Sequence, residues 1–524
     1  MFKGCEMMKV LIVAEENNRN KIEKYIYSYK HFFDYSEQMD IHIFNSLGEN
    51  ESKYNRVIVD EYNLNLAVKI YKSSSHYGNL YLWLFGAIMP ADDDSMLETI
   101  EKRALLAKDW NVVKKINHIK IELNRIMKRA IMNSYPSQLQ LESTSFCNAQ
   151  CIMCSHYYAG NNGALDMNTK MLKKLAEMLP YLDLLIMHGN GEPFASKLFN
   201  ECVDTYSYYG IGLTTNTNLS ILRDEHIRRI NQSFVNIRVS CDACTKEIYE
   251  GIRKNLSFDR FVNNARNLRD ECPEVIKTMA SVLMRQNIEQ LPEMVRFAAK
   301  YGFEEIVFSN LGTSLFVGNE MDNISHYPYY AAKQLRHAIE VGKECGIKVT
   351  IPQSFDLELF DETQCEKEIE KIHETPFFKT EIEIHAINEF AESVVGDEYR
   401  LIENLSECYW DDDLYECEGI CEWCIERPYI DLKGNVFVCC INASYRIGNI
   451  FDYDSFLDLW NNATYKKIRN LFYSGNLPGF CNNCQFILNG SLNKLQVPTF
   501  DENFYQRRRI SKFYHDYCEE HQDD

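Results

Sequence analysis

Residues 138–144, Gln-Leu-Gln-Leu-Glu-Ser-Thr, read as a β-strand, and they run straight into Ser145-Phe146-Cys147-Asn148-Ala149-Gln150-Cys151-Ile152-Met153-Cys154. Three thiols spaced C-x3-C-x2-C on so tight a loop can converge on one centre, which they leave one ligand short of four. A structural zinc wants a fourth protein ligand, and His156 stands close enough in sequence to be that ligand. A 4Fe–4S cluster held by three cysteines instead leaves one iron open to a small molecule. Spacing alone admits both.

Outward from this loop, the chain from Pro136 to Thr350 repeats a β-then-α pattern six times. The expected strands are QLQLEST, LDLLIMHG, GIGLTTN, FVNIRVS, IKTMASVLM and EEIVFSN, separated by amphipathic helices such as MLKKLAEML and LPEMVRFAAKYG. Parallel strands with right-handed helical crossovers curl into a full or partial barrel, and such barrels carry their chemistry on the loops after the strands. The cysteine loop is the first of these.

The 524 residues, 45% of them hydrophobic, suffice for two to four domains. Residues 1–100 alternate strand-like stretches (KVLIVAE, MDIHIFN, RVIVDEY, NLYLWLFGAIM) with helix-like ones, a small α/β domain with no glycine-rich phosphate loop and no assigned role. Residues 101–135 fall in a long Lys- and Arg-rich helical stretch read as a linker with a solvated charged face. Residues 136–350 form the barrel core, 351–404 a further linker or insert, 405–490 a cysteine-rich module and 491–524 a tail. No export signal or membrane-length apolar run is found, so a cytoplasmic location with no membrane partner is expected. The net charge of −20 opposes nucleic acid as a partner. Nineteen cysteines in such a chain point to metal rather than to disulfides.

Three further segments fall at expected strand ends: His188-Gly189-Asn190-Gly191-Glu192-Pro193, then LTTNTNL with Thr215 and Asn216, then Ser240-Cys241-Asp242-Ala243 followed by TKEIYEGIRKN with Arg253. With the cysteine loop, they resemble the radical S-adenosylmethionine (SAM) superfamily over some 210 residues and in the right order. The resemblance implies a partial (β/α)6 TIM-like barrel in an overall α/β fold. It also implies a 4Fe–4S cluster on Cys147, Cys151 and Cys154 whose open iron chelates the amino and carboxylate groups of SAM. Gly189, Asn190, Gly191, Glu192 and Pro193 correspond to the family's Gly-Gly-Glu-Pro motif, with Asn190 in place of the second glycine. There the main chain approaches SAM closely and a carboxylate faces its ammonium. Thr215 and Asn216 would approach the ribose or shape the adjacent backbone. Ser240 and Asp242 lie in the family's Ser-Ile-Asp-Gly segment, Ser240 as a ribose contact. Arg253 would meet the SAM carboxylate, and Asn287 is a further pocket candidate. The Cys241/Cys244 pair reads as coincidental.

The C-terminal run Cys424, RPYIDLKGNVFVCC ending at Cys439 and Cys440, and Cys481-Asn482-Asn483-Cys484 resembles the SPASM or twitch extension, an α+β module holding auxiliary 4Fe–4S clusters. DLKGNVFVCC reads independently as a β-hairpin that delivers thiols at a strand end. A zinc ribbon shares that signature. Cys424, Cys440, Cys481 and Cys484 are the expected ligands. Cys439 and Cys440 point to opposite faces of a strand, so only one readily serves a given cluster, and Cys440 is chosen. Cys417, Cys421 and Cys424 repeat the spacing of the SAM loop and leave a third cluster open.

By this resemblance the chain is an enzyme that cleaves SAM to a 5′-deoxyadenosyl radical and abstracts hydrogen, in an oxidoreductase-type modification of a peptide or protein. Flavodoxin or ferredoxin is the implied electron donor. Oxidation or epimerisation of an aminosugar or related small polar metabolite is the alternative substrate chemistry. A non-catalytic iron–sulfur or zinc scaffold is the alternative class, and it has no use for Glu192, Asn216, Ser240 and Arg253.

Overall fold

A computed structural model of the chain describes residues 94–154, 156, 165–311, 320–352, 354–374, 376–378, 415–416, 421–440, 446–478 and 481, with 8–14, 19–22, 39–44, 56–60, 80–84 and 87–90 before them. The first domain is a five-stranded sheet in the order β2-β1-β3-β4-β5. Its strands are β1 (Met8–Val13), β2 (Met39–Phe44), β3 (Arg56–Asp60), β4 (Leu80–Leu84) and β5 (Ala87–Pro90). The stretch 79–89, one strand-like run in the sequence, is thus two antiparallel strands with Trp83 opposite Ile88.

The helical stretch that follows is two helices, Asp94–Leu106 and Trp110–Ile126. Lys108 adopts a left-handed φ of 54° between them, and Asp109 caps the second by accepting from the Val112 amide. The expectation of a solvated linker face fails for the second helix. Its Lys114 and Lys120 are buried, because Lys114 Nζ donates to the Gly210 carbonyl at 2.7 Å and Lys120 Nζ reaches Glu101 at 2.8 Å. Val113, Ile116 and Ile119 are buried beside them, and the helix packs against the chain just before β8 and β9 through His118–Asp183 and Lys114–Gly210.

The barrel strands are β6 (Gln138–Leu141), β8 (Leu184–Ile186), β9 (Gly212–Thr217), β10 (Phe234–Ser240), β12 (Ile276–Leu283) and β13 (Glu305–Asn310), parallel neighbours in chain order. Five of the six fall within the stretches read as strands, β9 runs one residue past GIGLTTN to Thr217, and a short seventh, β14 (Lys348–Thr350), extends the edge. Leu139, Leu185, Leu213, Ile237, Val239, Met279 and Ile306 share one apolar core with helix residues such as Tyr206, Phe261, Leu268 and Leu335. Because side chains alternate along a strand, the residues between them face the concave side. Those are Gln140, His188, Thr214, Asn216, Arg238, Ser240 and Thr278.

Beyond β6 the sheet continues without a break into the C-terminal module. β16 (Tyr429–Ile430) runs parallel to β6, and β17 (Asn435–Phe437) and β18 (Arg446–Asn449) follow antiparallel, completing a ten-stranded sheet. The Gln140 amide donates to Pro428 O and that of Glu142 to Ile430 O, each at 3.0 Å. The β16–β17 connection is the expected hairpin. Gly434 takes the left-handed φ of 82° that the turn requires, and Asp431 accepts from the Lys433 and Asn435 amides. Three two-residue strands complete the set with β19 (Asn476–Leu477): β7 (Gln150–Cys151) pairs with β11 (Arg253–Lys254), and β15 (Tyr415–Glu416) with β19. Among the described residues, no helix is long and apolar enough to cross a membrane.

Candidate functional site

The cysteine loop is pinned from two sides at the C-terminal mouth of the barrel. In the β7–β11 pair Cys151 lies opposite Arg253, whose Nη1 is 3.8 Å from the Cys151 sulfur. Asn218, just after β9, brings Nδ2 to 4.0 Å from the Cys147 sulfur and 3.1 Å from Asn148 Oδ1. The Cys154 amide donates to Cys151 O at 3.1 Å, closing the loop. Burial pushes the Cys147 thiol up to about 11 and the Cys151 thiol up to about 12, against the pull of Arg253. Such thiols keep their protons until a metal displaces them.

The donor set fits a cluster better than zinc. His156 Nε2 donates to the Ser145 carbonyl at 2.6 Å, so that nitrogen is not free to be the fourth ligand. Among the described residues, no three His, Cys, Asp or Glu side chains are gathered tightly enough to hold a single metal ion. A 4Fe–4S cube sets its thiolates further apart than a mononuclear site does, and Cys147, Cys151 and Cys154 act on one another electrostatically from one loop.

The Gly-Glu-Pro segment serves this loop from below. The Glu192 amide donates to Phe146 O at 2.8 Å, and a Cβ on Gly191 would run into Thr144 O and lie 2.6 Å from Phe146 O. Glycine is thus needed at 191 for an approach to the chain's own backbone. Asn190 is exposed, and its amide, which any residue supplies, donates to Glu142 Oε1 at 2.9 Å. Gly189 is exposed as well. Pro193 opens a short 3-10 turn capped by Glu192. The Glu192 carboxylate is buried and accepts from Thr217 Oγ1 at 2.6 Å, the Asn218 amide at 2.7 Å and the Phe194 amide at 3.3 Å. Burial still pushes it up to about 7.

Thr215 faces outward and donates to Met187 O at 2.8 Å, tying β9 to the end of β8, whereas Asn216 and Ser240 face the lumen half-buried. Thr217 and Asn218, which sequence reasoning passed over, do more of the organising. They bind Glu192, and Asn218 Oδ1 accepts from Ser220 Oγ at 2.6 Å while Ser220 Oγ accepts from Asn148 at 2.8 Å. Their place at the end of a period-two strand was the available signal.

Asp242 and Arg253, expected at the SAM site, are buried and paired with each other beside Cys151. Asp242 is wholly buried, its Oδ1 accepting from the Val282 amide at 2.7 Å and its Oδ2 lying 2.7 Å from Arg253 Nη2. Asn287 is likewise enclosed, donating to Asp242 O and Val282 O. Cys241 is buried with its thiol on Ala243 O, and Cys244 binds Gln290.

In the C-terminal module, Cys424, Cys439 and Cys481 all act on the thiol of Cys421, and Cys439 acts on that of Cys424. Cys440 instead lies against Gln140 and Arg427. Cys424 and Cys481, two of the expected ligands, thus share an electrostatic neighbourhood with Cys421 and Cys439. The two adjacent thiols, Cys439 and Cys440, lie past the end of β17 at Phe437, in irregular backbone that turns them to different neighbours. Cys408, Cys417 and Cys484 lie outside the described residues. Arg469, fully buried, donates to Cys424 O at 3.0 Å and lies over the Trp460 ring at 4.5 Å. Its charge favours the thiolate of Cys424, opposing the burial that pushes that thiol up to about 12.

Residues 141–298 match the radical SAM superfamily, and residues 421–485 match the SPASM iron–sulfur cluster-binding domain. The chain is 28% identical over 169 residues to the mycofactocin maturase MftC of Mycolicibacterium smegmatis, covering 32% of this chain and 43% of the relative. It is 25% identical over 187 residues to the PqqA peptide cyclase of Bradyrhizobium diazoefficiens, covering 34% and 47%. These alignments thus span less than half the length of either relative. Among solved structures, Streptococcus suis SuiB bound to S-adenosylmethionine superposes with a TM-score of 0.43 and 14% identity, covering 72% of this chain and 79% of that one. The two domains imply 4Fe–4S clusters and SAM as cofactors. The family likeness thus comprises a radical SAM core at residues 141–298 and a SPASM iron–sulfur cluster-binding domain at residues 421–485.

Proposed function

We propose that the chain is a radical SAM enzyme that modifies a peptide or protein by an oxidoreductase-type reaction in the cytoplasm, drawing electrons from a flavodoxin or ferredoxin. The observation that carries the chemistry is the Cys147/Cys151/Cys154 loop fastened to Arg253 and Asn218 at the barrel mouth. Cys147, Cys151 and Cys154 hold the cluster that binds SAM. With both bound, the chemistry supplied is reductive cleavage of SAM to methionine and a 5′-deoxyadenosyl radical that takes a hydrogen atom from the substrate. Gly189, Asn190, Gly191, Glu192 and Pro193 shape the floor beneath SAM, Asn216 and Ser240 face it from the lumen, and Thr215 holds the adjacent backbone. Arg253 and Asp242 steady the cluster loop from behind. Cys421, Cys424, Cys439 and Cys481 hold the auxiliary cluster, with Arg469 as a buried cation beside them. The peptide substrate is supported by the likeness to two relatives, a mycofactocin maturase and a PqqA peptide cyclase.

The test is anaerobic reconstitution with iron and sulfide, followed by dithionite and SAM. 5′-Deoxyadenosine is expected from the native chain and none from the Cys147→Ala/Cys151→Ala/Cys154→Ala variant, which should remain folded because the loop lies at the mouth and not in the core. Equal product from both sinks the assignment. A change of mass in peptides encoded beside this chain's gene, formed only in the complete reaction, tests the substrate class.

A further inference from the structure

One layer of the barrel lumen lies below Ser240. Arg238 is in register with Asn216 on β9 and with Thr278 on β12, and β8 places His188 level with Asn216. Ile237 and Val239 on either side are buried in the sheet–helix core, so Arg238 points into the lumen. It sits two residues, about 6–7 Å of strand, deeper than Ser240.

Two groups in this layer lack partners. Among the described residues Arg238, half-buried, makes no hydrogen bond or ion pair. The carboxylate that acts on it is Glu305, and Glu305 Oε1 already accepts from Thr350 Oγ1 at 2.6 Å and lies 2.9 Å from Lys348 Nζ. Nδ1 of His188 is buried without a partner. Burial and the nearby Arg238 hold the imidazole neutral, its value lowered to about 4. A guanidinium and a buried ring nitrogen left unpaired on one wall cost free energy that an anionic ligand removes.

We propose that Arg238, flanked by His188, receives a carboxylate of the substrate and so holds the substrate in the lumen beneath SAM. A guanidinium fork matches a carboxylate with two parallel N–H donors, and a neutral imidazole hydrogen-bonds without adding a competing charge. Arg238 is then a specificity-determining residue, and an uncharged substrate is a poor fit. This rests on the reading of the barrel as a SAM-cleaving site.

The test is phenylglyoxal labelling of the reconstituted full chain under anaerobic conditions with SAM present, mapped by mass spectrometry. N-acetylglycine stands in for a peptide C-terminus, N-acetylaspartyl amide for an acidic side chain, and N-acetylglycinamide for the uncharged control. Labelling of Arg238 is expected to slow about tenfold with one carboxylate probe, the ratio of one charge-assisted contact, and to be unchanged by the amide. Exposed Arg228 should label alike throughout. Which carboxylate protects identifies its source. Equal labelling in all conditions, an Arg238 that never labels, or full shielding by SAM alone each overturns the proposal. The same sample is assayed for 5′-deoxyadenosine. Product without selective protection overturns this inference alone, and no product overturns the reading beneath it.

Discussion

Arg253 Nη2 and Asp242 Oδ2 stand 2.7 Å apart, both side chains buried, directly behind Cys151. A buried pair of this kind is costly to break from one side, since the survivor is an uncompensated charge.

Asp242→Ala should therefore destabilise the region by about 3–5 kcal/mol and loosen the cysteine loop. The double variant Asp242→Ala/Arg253→Met removes both charges and should recover much of the thermal midpoint. A double variant no more stable than the single one contradicts the pairing.

Cys421→Ser and Cys439→Ser should each lower reconstituted iron from about eight to about four atoms per chain, while Cys440→Ser leaves it near eight. Iron and sulfide analysis reads this directly. Loss of the auxiliary iron in Cys440→Ser alone would make Cys440 the ligand of the adjacent pair.

Gly191→Ala and Gly189→Ala separate two kinds of crowding. At 191 the new Cβ meets the backbone carbonyls of Thr144 and Phe146, which cannot move without the cysteine loop. At 189 it meets the Glu142 side chain, 2.5 Å from Cγ. Gly191→Ala should cost about 1–3 kcal/mol and most of the SAM-site iron, with the auxiliary iron retained. Gly189→Ala should cost less, because a side chain can yield. Equal losses would show that the approach at 191 is not what the loop depends on.

His118 Nε2 lies 2.6 Å from Asp183 Oδ2 at the base of the barrel. Burial alone would lower the imidazole, but the Asp183 carboxylate outweighs it and raises it to about 9. A histidine raised on folding contributes stability that is complete below its unfolded value near 6.5 and is lost as pH rises through about 9. With the side chain 48% exposed, screening limits the gain to about 1 kcal/mol or less. His118→Gln should flatten the fall in thermal midpoint between pH 6.5 and 9, against the native profile in the same buffers. An unchanged profile removes the pair from the account.

The six barrel strands, the order of the SAM motifs and the C-terminal hairpin were legible from local pattern. Period-two runs such as FVNIRVS and a Lys-Gly-Asn turn depend on neighbours in the chain, and β10 has the expected bounds, Phe234 to Ser240. The C-x3-C-x2-C loop is also local. What sequence could not settle is which side of a strand meets which partner. Cys439 and Cys440 are equivalent in composition and spacing, and only the tertiary structure sets Cys440 against Gln140 and Cys439 within the electrostatic reach of Cys421 and Cys424. Likewise the contacts of Arg253 with Asp242 and Cys151 arise because β11 is drawn onto the cysteine loop more than 100 residues before it. The lysine-rich helix reads as solvated because charge ordinarily seeks water, and only the carbonyl and carboxylate that await Lys114 and Lys120 make burial affordable. Facing and convergence are long-range properties: they follow from register and packing between segments far apart in the chain, which no local spacing encodes.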